Sequence, residues 1–294
     1  MPRVFGSATR LAFVSVKSFG DLVIAATMLK RLAPSARDQV ALLAGKHLAP
    51  LLVELSISVD VRFLDEQLEG PAPLFDARRV GLAAAFRSAR SLRRAIGCTI
   101  KPGETLVFDV MGMRERFLTL NRPAVALPPA LNIYAAYDEL LRQSGLPLCP
   151  PAAEAKGGNL VRIFAGARMV HRRPPAELLH RVVDRVLERG GRPEVVLLEG
   201  ERPDLEREAL PIVIAPRDFG AMVGVVKHAD AVISPDSMTA HLAEHSGKPV
   251  LVLTPKEKFY WMPRFSAEHG MIALFDEDLS SGPFERFINR YVFG

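Results

Sequence analysis

Short apolar runs alternate with longer amphipathic stretches along the whole chain. Runs rich in β-branched and aromatic residues, bounded by turn residues or charges, predict strands, whereas apolar positions at helical spacing predict helices. In the first half, the predicted strands are Leu11–Val16, Val40–Ala44, Val59–Leu64 and Thr105–Val110. The predicted helices there are Asp21–Leu32, Leu48–Leu55, Val80–Ile96 and Asn132–Gln143.

The same alternation starts again in the second half. Its predicted strands are Leu160–Ala165, Glu194–Leu198, Ile212–Ala215, Ala231–Ser234, Val250–Leu253 and Met271–Phe275. Its predicted helices are Pro175–Arg189, Phe219–His228, Ser237–Glu244 and Phe284–Tyr291. Strands that alternate with helices predict an α/β fold with parallel sheets covered on both faces.

A stretch rich in proline and glycine separates the two halves. It reads LPLCPPAAEAKGGN and spans residues 146–159, a composition typical of a linker. We therefore expect two Rossmann-like domains, residues 1–152 and 153–294, whose parallel sheets face a central cleft, with the C-terminal helix able to pack back on the first domain. Ligands of such sheets bind outside the carboxyl ends of the strands.

Composition and charge narrow the class of protein. With 49% hydrophobic and 24% charged residues the composition is that of a globular protein, and no apolar run approaches the roughly 18 residues of a membrane span. Residues 1–155 hold 19 Lys and Arg against 14 Asp and Glu, a balance of +5, whereas residues 156–294 hold 19 of each. A basic first half favours an anionic partner, although solubility charge gives the same pattern. Cys98 and Cys149 form no pair, which is typical of a reducing compartment, and we expect both to be buried.

Two stretches at predicted strand ends carry candidate chemistry, and the first is VSVKSFGDLVIAATMLKRL, residues 14–32. A strand leads into Ser-Phe-Gly before Asp21 opens a helix. Gly20 would let the backbone turn tightly and let a ligand approach the Asp21 carboxylate. An aspartate at a helix start is also typical of an ordinary N-cap, and that position would hold the pKa of Asp21 low.

The second stretch is SPDSMTAHLAEHSGKPVLVL, from Ser234 to Leu253. Its strand ends at Asp236, and Ser237 and Thr239 lie in the first turn of the next helix. Free N–H groups and the positive end of the helix dipole favour an anion such as phosphate there, to which both hydroxyls could donate. His241 shares the helix face of Ser237. A capped helix with a satisfied histidine remains the alternative.

This stretch also contains His-Leu-Ala-Glu-His, which fits the H-x-x-E-H pattern of one class of zinc proteases. His241, Glu244 and His245 could share a helix face. Such a protease needs a further carboxylate ligand well downstream, and only 49 residues follow His245. We therefore expect no metal site.

Three segments in order resemble glycosyltransferase family 9, the family of the lipopolysaccharide heptosyltransferases. They are FGDLVIAATMLKRL, FAGARMVHRRPPAELLHRVVDRVLERGGRPEVVLLEG and ISPDSMTAHLAEHSGKPVLVLTP. The resemblance implies a GT-B fold, in which two Rossmann-like domains carry acceptor and donor. It also implies inverting, metal-independent transfer from a nucleotide-diphosphate sugar, typically ADP-heptose, with no cofactor.

The resemblance also assigns roles to residues. Asp21 takes the place of the family's base. Met238 replaces a glycine of the diphosphate-binding motif, His171 or Arg172 takes the place of a lysine, and Arg173 stands where tryptophan is frequent. A carboxylate that holds ribose hydroxyls falls on Glu201 or Asp204. The implied donor-binding residues are Gly20, His171, Arg172, Glu201, Asp204, Asp236, Ser237, Met238, Thr239 and His241.

The acceptor side falls on the first domain. In FRSARSLRRAIG, residues 86–97, Arg87, Arg90 and Arg94 lie at helical spacing and form a row of guanidinium groups suited to phosphates or carboxylates. A solvated basic face is the alternative. With Lys17, these arginines are the expected acceptor-binding residues. No nucleic-acid partner is expected, because no nucleic-acid-binding motif is present.

The resemblance implies a cytoplasmic glycosyltransferase, with peripheral contact at the inner membrane as a further expectation. It would transfer heptose from ADP-heptose to an anionic lipid-linked glycan, such as the lipopolysaccharide core or a related surface glycan. Two alternatives stay open: transfer of another UDP- or GDP-linked sugar, and non-catalytic binding of a sugar nucleotide or glycan. An NAD-dependent dehydrogenase is disfavoured, because neither domain has G-x-G-x-x-G after its first strand.

Overall fold

A computed structural model describes residues 10–64, 81–119, 121–150, 156–205, 208–256 and 259–293. The chain divides into two compact units, Met1–Ala130 with Tyr134–Pro151 and Leu131–Ile133 with Ala152–Gly294. Each unit holds a parallel sheet whose strands alternate with helices, which confirms the α/β class and the pair of Rossmann-like domains. The boundary expected between residues 152 and 153 lies outside the described residues.

The first unit contains a five-stranded parallel sheet in the order β3-β2-β1-β4-β5. Its strands are β1 (Arg10–Ser15), β2 (Val40–Gly45), β3 (Asp60–Leu64), β4 (Glu104–Phe108) and β5 (Ala124–Ala126). Its helices are α1 (Phe19–Lys30), α2 (Ala49–Leu55), α3 (Leu82–Thr99), α4 (Met113–Leu118) and α5 (Ile133–Gln143).

The position of β1 in this sheet matters most for function. Strand β1 pairs with β2 on one side and with β4 on the other, so the strand order reverses between β1 and β4. Strands β2 and β4 are buried along their whole length, as expected for apolar runs covered on both faces. Ligands of open α/β sheets bind at the carboxyl ends beside such a reversal.

The second unit contains a six-stranded parallel sheet in the order β11-β10-β9-β6-β7-β8. Its strands are β6 (Leu160–Phe164), β7 (Arg192–Leu198), β8 (Ile212–Ala215), β9 (Ala231–Pro235), β10 (Val250–Thr254) and β11 (Ile272–Leu274). Its helices are α6 (Ala176–Glu188), α7 (Phe219–Lys227), α8 (Met238–His245), α9 (Arg264–His269) and α10 (Gly282–Tyr291). Here the strand order reverses between β6 and β9.

The C-terminal helix α10 belongs to the core of the second unit. Phe284, Phe287, Ile288 and Tyr291 are buried against apolar residues of that unit's sheet and of α6. That this helix also packs back on the first domain stays a prediction. An amphipathic helix covers the nearest exposed apolar sheet face, which for α10 is the face formed by β10 and β11.

Two further expectations need correction. Cys98 and Cys149 are both exposed rather than buried. The predictions also missed the short elements β5, α4 and α9, whose three to six residues are too few to show a period. Within the described residues, none of the helices has both the length and the apolar content of a membrane span.

Candidate functional site

The start of α1 lies at the carboxyl end of β1, beside the strand reversal of the first unit. Ser18 is the N-cap residue, and its hydroxyl accepts a hydrogen bond from the backbone N–H of Asp21 at 3.3 Å. The helix therefore begins at Phe19, two residues earlier than the sequence indicated. Gly20 lies inside the first helical turn and not in a tight turn before it. Because Ser18 caps the helix, the Asp21 side chain is not needed as the cap.

Three carboxylates gather at the carboxyl ends of β1 and β4, around the ammonium of Lys17. Lys17 Nζ lies 3.9 Å from Asp109 Oδ2 and 3.9 Å from Glu115 Oε1. Asp109 also accepts a hydrogen bond from the Tyr137 hydroxyl, and the charge of Asp21 acts on Asp109. We refer to Lys17, Asp21, Asp109, Glu115 and Tyr137 as the carboxylate cluster. Lys17, expected to bind an acceptor, forms ion pairs with Asp109 and Glu115.

Burial makes two carboxyls of the cluster weaker acids than usual. Burial raises the pKa of Asp21 and outweighs the lowering effects of the Lys17 charge and the Ser18 hydrogen bond. The expectation that the helix start holds this pKa low is therefore wrong. For Asp109, burial and the neighbouring charge of Asp21 raise the pKa to about 6, against lowering contributions from Lys17 and Tyr137.

Asp109 and Glu115 are members of this site that the sequence did not single out. Asp109 was assigned to the predicted strand Thr105–Val110, whereas β4 ends at Phe108 and leaves the aspartate just beyond the strand. Pairing of Phe13 with Val107 then brings Asp109 level with Ser15, the last residue of β1. Glu115 lies on α4, which was not predicted. The one available signal was a polar residue at the end of an apolar strand.

The predicted basic face is present on α3. Arg87, Arg90 and Arg94 are exposed, while the opposite face of the helix packs in the core. In the described part of the chain no carboxylate pairs with any of the three. Helix α3 packs on α4, where the Arg93 guanidinium lies 4.8 Å from the centre of the Phe117 ring. Helix α4 also carries Glu115, so α3 packs on a helix that contributes to the carboxylate cluster.

In the second unit, α8 begins at the carboxyl end of β9, beside the reversal between β6 and β9. Ser237 occupies the N-cap position with extended backbone, yet its side chain makes no capping hydrogen bond. The N–H groups of the first turn therefore remain available to an anion. We call Asp236, Ser237, Met238, Thr239 and His241 the anion cradle. Met238, in place of a glycine, is the first residue of the helix.

Hydrogen bonds among hydroxyls explain why Ser237 does not cap the helix. Ser237 Oγ lies 2.7 Å from Thr239 Oγ1, which lies 2.6 Å from Ser234 Oγ. Ser234 in turn donates to the Pro235 carbonyl at 3.0 Å. Thr239 is buried and its hydroxyl has two partners, so it holds Ser237 in place instead of facing a ligand.

His241 is buried in α8 and does not carry charge. Burial lowers the pKa of His241 to about 4, so the ring is neutral at physiological pH. At that pH the ring therefore supplies no positive charge to a bound anion. A neutral imidazole can still donate one hydrogen bond.

Arg172, in the segment after β6, places a positive charge beside the anion cradle. Arg172 Nη1 lies 3.0 Å from Asp236 Oδ2 and donates to the Asp236 carbonyl at 3.3 Å. His171, the other candidate for this role, is exposed in the same turn. Arg173 donates to the Ala167 carbonyl at 2.9 Å and so supports the loop itself. Both contacts of Arg172 use Nη1, so within the described residues Nη2 and Nε are left as donors.

The two candidate ribose-binding carboxylates differ in their surroundings. Glu201 accepts a hydrogen bond from the Leu198 N–H at 3.1 Å, and its carboxylate lies so close to Gly166 that a Cβ there would be 2.0 Å from it. Asp204 instead accepts hydrogen bonds from Nε and Nη2 of Arg202 at 2.7–3.0 Å, and these bonds lower the pKa of Asp204. Arg202 also donates to the carbonyl of Ala165 at 3.2 Å, so the Asp204 pair supports the loop after β6.

The residues of the H-x-x-E-H pattern have other roles. Glu244 Oε2 accepts a hydrogen bond from the Phe265 N–H at 2.8 Å, which ties α8 to α9. Across the described residues, no group of three or more His, Cys, Asp and Glu side chains is arranged to hold a metal ion.

Comparison with known proteins identifies the fold. No protein-family model and no curated protein sequence matches the chain. The E. coli heptosyltransferase WaaC, solved with ADP, superposes with a TM-score of 0.62 at 13% identity, over 96% of this chain and 97% of that one. A family 9 glycosyl transferase from Veillonella parvula superposes with a TM-score of 0.60 at 13% identity, over 92% of this chain and 87% of that one.

The chain has the GT-B fold. This agrees with the resemblance to glycosyltransferase family 9 at the level of the fold. A third structure, the E. coli ADP-heptose lipopolysaccharide heptosyltransferase II, superposes with a TM-score of 0.50 at 12% identity, over 90% of each chain. At these identities the likeness establishes the GT-B architecture alone, and activity has to be argued from the residues of the two units.

Proposed function

We propose that this protein is an inverting, metal-independent glycosyltransferase that transfers a sugar from a nucleotide-diphosphate donor. The observation that carries the proposal is the uncapped N-terminus of α8 with the Arg172 guanidinium beside it. It lies at the strand reversal of a GT-B unit, where backbone N–H groups and a fixed cation suit a diphosphate. Glu201, held beside Gly166, is the better placed carboxylate for ribose hydroxyls.

The proposed chemistry is a single displacement at the anomeric carbon. Asp21 takes the proton of the acceptor hydroxyl while the acceptor oxygen bonds to the anomeric carbon and the bond to the nucleoside diphosphate breaks. The raised pKa of Asp21 makes it a stronger base than an exposed aspartate. The α8 N–H groups and Arg172 stabilise the negative charge that develops on the leaving diphosphate.

The donor that we propose is ADP-heptose. The support is that WaaC, one of the proteins with the same fold, was solved with ADP and with ADP-2-deoxy-2-fluoro heptose. UDP- and GDP-linked sugars are the competing donors. A protein that binds sugar nucleotides without transferring them is the competing class, and the tests below separate these possibilities.

The acceptor that we propose is an anionic, lipid-linked glycan such as the lipopolysaccharide core. The support is the row of Arg87, Arg90 and Arg94, which is exposed and has no carboxylate partner in the described residues. An acceptor of this kind places the protein at the cytoplasmic face of the inner membrane, as a peripheral protein.

Thermal unfolding with ADP, UDP, GDP and CMP tests donor binding. A nucleotide at 100 times its Kd should stabilise the protein by about 2.7 kcal/mol. Arg172→Gln removes a charged donor and should weaken binding about 10- to 100-fold, whereas His171→Gln and Arg192→Gln should not. Arg192, at the amino end of β7, is the matched control. If none of the four nucleotides binds, the donor assignment is wrong.

Product formation from ADP-heptose and a delipidated core acceptor tests catalysis. Asp21→Asn should keep ADP binding and lose at least about 100-fold in kcat, the lower end of what a general base contributes. Asp38→Asn, an exposed aspartate in the same unit, should retain activity. Normal turnover in Asp21→Asn would exclude Asp21 as the base. Binding of a nucleotide without transfer or donor hydrolysis in the unaltered protein would favour the non-catalytic class.

Salt dependence tests the acceptor face. The triple variant Arg87→Gln, Arg90→Gln, Arg94→Gln should raise the KM for an anionic acceptor and flatten its dependence on ionic strength. The KM for the donor should stay the same, which serves as the internal control. An unchanged acceptor KM would assign these arginines to a solvated surface only.

A further inference from the structure

The proposed mechanism uses Asp21 and leaves the rest of the carboxylate cluster unexplained. Asp109 is the member that most needs an explanation, because its side chain is only 14% exposed and yet it carries an ionisable group. A buried carboxyl that neither caps a helix nor forms a close ion pair costs the fold stability. Among the residues that the structure describes, the cation that pairs with it is Lys17, at 3.9 Å and beyond hydrogen-bond distance.

The geometry around Asp109 is built by four separate elements. Asp109 follows β4, Lys17 follows β1, Glu115 lies on α4 and Tyr137 lies on α5. Tyr137 is itself fixed, because its buried ring stacks on Phe13 with 5.4 Å between ring centres. Gly112 N–H holds Glu115 Oε2 at 3.0 Å.

The arrangement gives Asp109 and Asp21 a direct electrostatic interaction. Each carboxyl is buried, and the charge of Asp21 raises the pKa of Asp109. Interaction between two charges is mutual, so an ionised Asp109 makes Asp21 hold a proton more strongly. Lys17 limits the repulsion, since its ammonium lowers the pKa of both carboxyls.

We propose that Asp109 is a positioning residue for the proposed transfer, which increases the basicity of Asp21 by holding a negative charge beside it. The inference rests on the proposed function, in which Asp21 is the base. The titratable groups around the pair are Lys17, Glu115 and Tyr137. Lys17 keeps both carboxylates ionised before the reaction, and Tyr137 fixes the orientation of Asp109.

Asp109 acts on the proton that Asp21 takes up during one transfer. The acceptor hydroxyl loses its proton to Asp21 as its oxygen bonds to the anomeric carbon, and the electron pair of the broken bond leaves with the diphosphate. Protonation of Asp21 removes its repulsion with Asp109, so the transfer is favoured more than it would be with an isolated carboxylate. The proton then leaves Asp21 to solvent before the next turnover.

The pH dependence of kcat/KM tests this role. Activity should fall as pH drops through the pKa of Asp21, and Asp109→Asn should move that acidic limb to lower pH because it removes the neighbouring charge. At neutral pH, Asp109→Asn should lose roughly tenfold in kcat with an unchanged acceptor KM, less than the 10²- to 10⁴-fold expected for loss of a base. Asp109→Glu should restore part of kcat. Asp138→Asn, on α5 and paired with Arg31, is the matched control.

An acidic limb that stays in place in Asp109→Asn would overturn the proposal. A second measurement does not depend on activity. Titration of the aspartate carboxyl carbons by NMR, assigned with Asp21→Asn, should show a lower pKa for Asp21 in Asp109→Asn than in the unaltered protein. An unchanged Asp21 pKa refutes the coupling. Absence of transfer with the expected NMR shift would instead refute the proposed function and keep the coupling.

Discussion

Replacement of Asp109 by asparagine should stabilise the protein at neutral pH, although the residue is largely buried and makes polar contacts. The carboxylate is the ionised form of a group that burial and the charge of Asp21 keep at a raised pKa. Asparagine has nearly the same shape, can still accept a hydrogen bond from Tyr137, and carries no charge to desolvate. The substitution thus removes an unfavourable charge and keeps the packing.

The size of the effect follows from the pKa. In the folded chain the pKa of Asp109 is about 6, against 3.8 for an ordinary aspartate, a difference of about 2.2 units. At 1.36 kcal/mol per unit, ionised Asp109 lowers the free energy of unfolding by about 3 kcal/mol. Because the folded pKa is raised, the full stability is present below about pH 4 and is lost as the pH rises to about 6. Above that range the loss is constant.

Thermal unfolding at pH 4 and at pH 7.5 provides the assay. A change of 1 kcal/mol shifts the Tm of a domain of 150 to 250 residues by about 2–4 °C, so Asp109→Asn should gain roughly 6–12 °C at pH 7.5 and little at pH 4. Asp60→Asn is a control of opposite sign. Hydrogen bonds from Arg62 lower the pKa of Asp60 below its ordinary 3.8, so that variant should lose stability at pH 7.5 and at pH 4, and the loss should fade only as the pH falls through the lowered pKa.

Two results would refute the reasoning. If Asp109→Asn destabilises the protein equally at both pH values, the residue acts through its contacts and not through its charge. If the variant stabilises the protein equally at both pH values, the gain does not come from ionisation of Asp109. In either case the electrostatic role that we assign to Asp109 beside Asp21 loses its basis.

Three other substitutions test separate parts of the two units. Gly166→Ala should weaken nucleotide binding as much as Glu201→Gln does, because the added Cβ displaces the Glu201 carboxylate. Isothermal titration calorimetry measures the binding, and an unfolding curve like that of the wild type is the control. Glu104→Gln breaks the buried pair in which Arg62 Nη2 donates at 2.7 Å, and urea unfolding should show a loss of about 3–5 kcal/mol. Thr239→Val removes the hydroxyl that bonds to both Ser234 and Ser237 and should cost about 1–3 kcal/mol in the same assay. A loss below 0.5 kcal/mol in either unfolding experiment would contradict the assigned contact.

The main elements of the fold could be predicted from the sequence because each is a continuous apolar run or has a clear apolar period. The strand Ile212–Ala215 matches its prediction at both ends, and α6, predicted as Pro175–Arg189, is shorter by one residue at each end. Helix α4 was missed because six residues with two arginines and a glutamate show no clear apolar period. Strand β5 was missed because Ala124–Ala126 is short and follows a proline.

The site was only partly predictable, for a physical reason. Asp21 and Asp236 could be found because each lies close to the point where an apolar run gives way to a helix, which is a local property of the sequence. The partners of these residues are set by tertiary structure: Lys17 reaches Asp109 and Glu115 only because β4 lies beside β1. The sign of the Asp21 pKa shift was wrong for the same reason, since burial depends on the packing around the helix start.

The net charge of the first half of the chain also does not show how charge is distributed in the first unit. The excess of basic residues in the first half lies partly on α3, whereas the carboxyl ends of β1 and β4 carry three carboxylates around one lysine. On the proposed function this separation orients the acceptor. The anionic groups of the acceptor are attracted to Arg87, Arg90 and Arg94 and repelled by the carboxylate cluster, so a neutral hydroxyl is the part that can approach Asp21 at the lowest electrostatic cost. A neutral acceptor would lack that orientation, and its kcat/KM should therefore fall more than its binding alone explains.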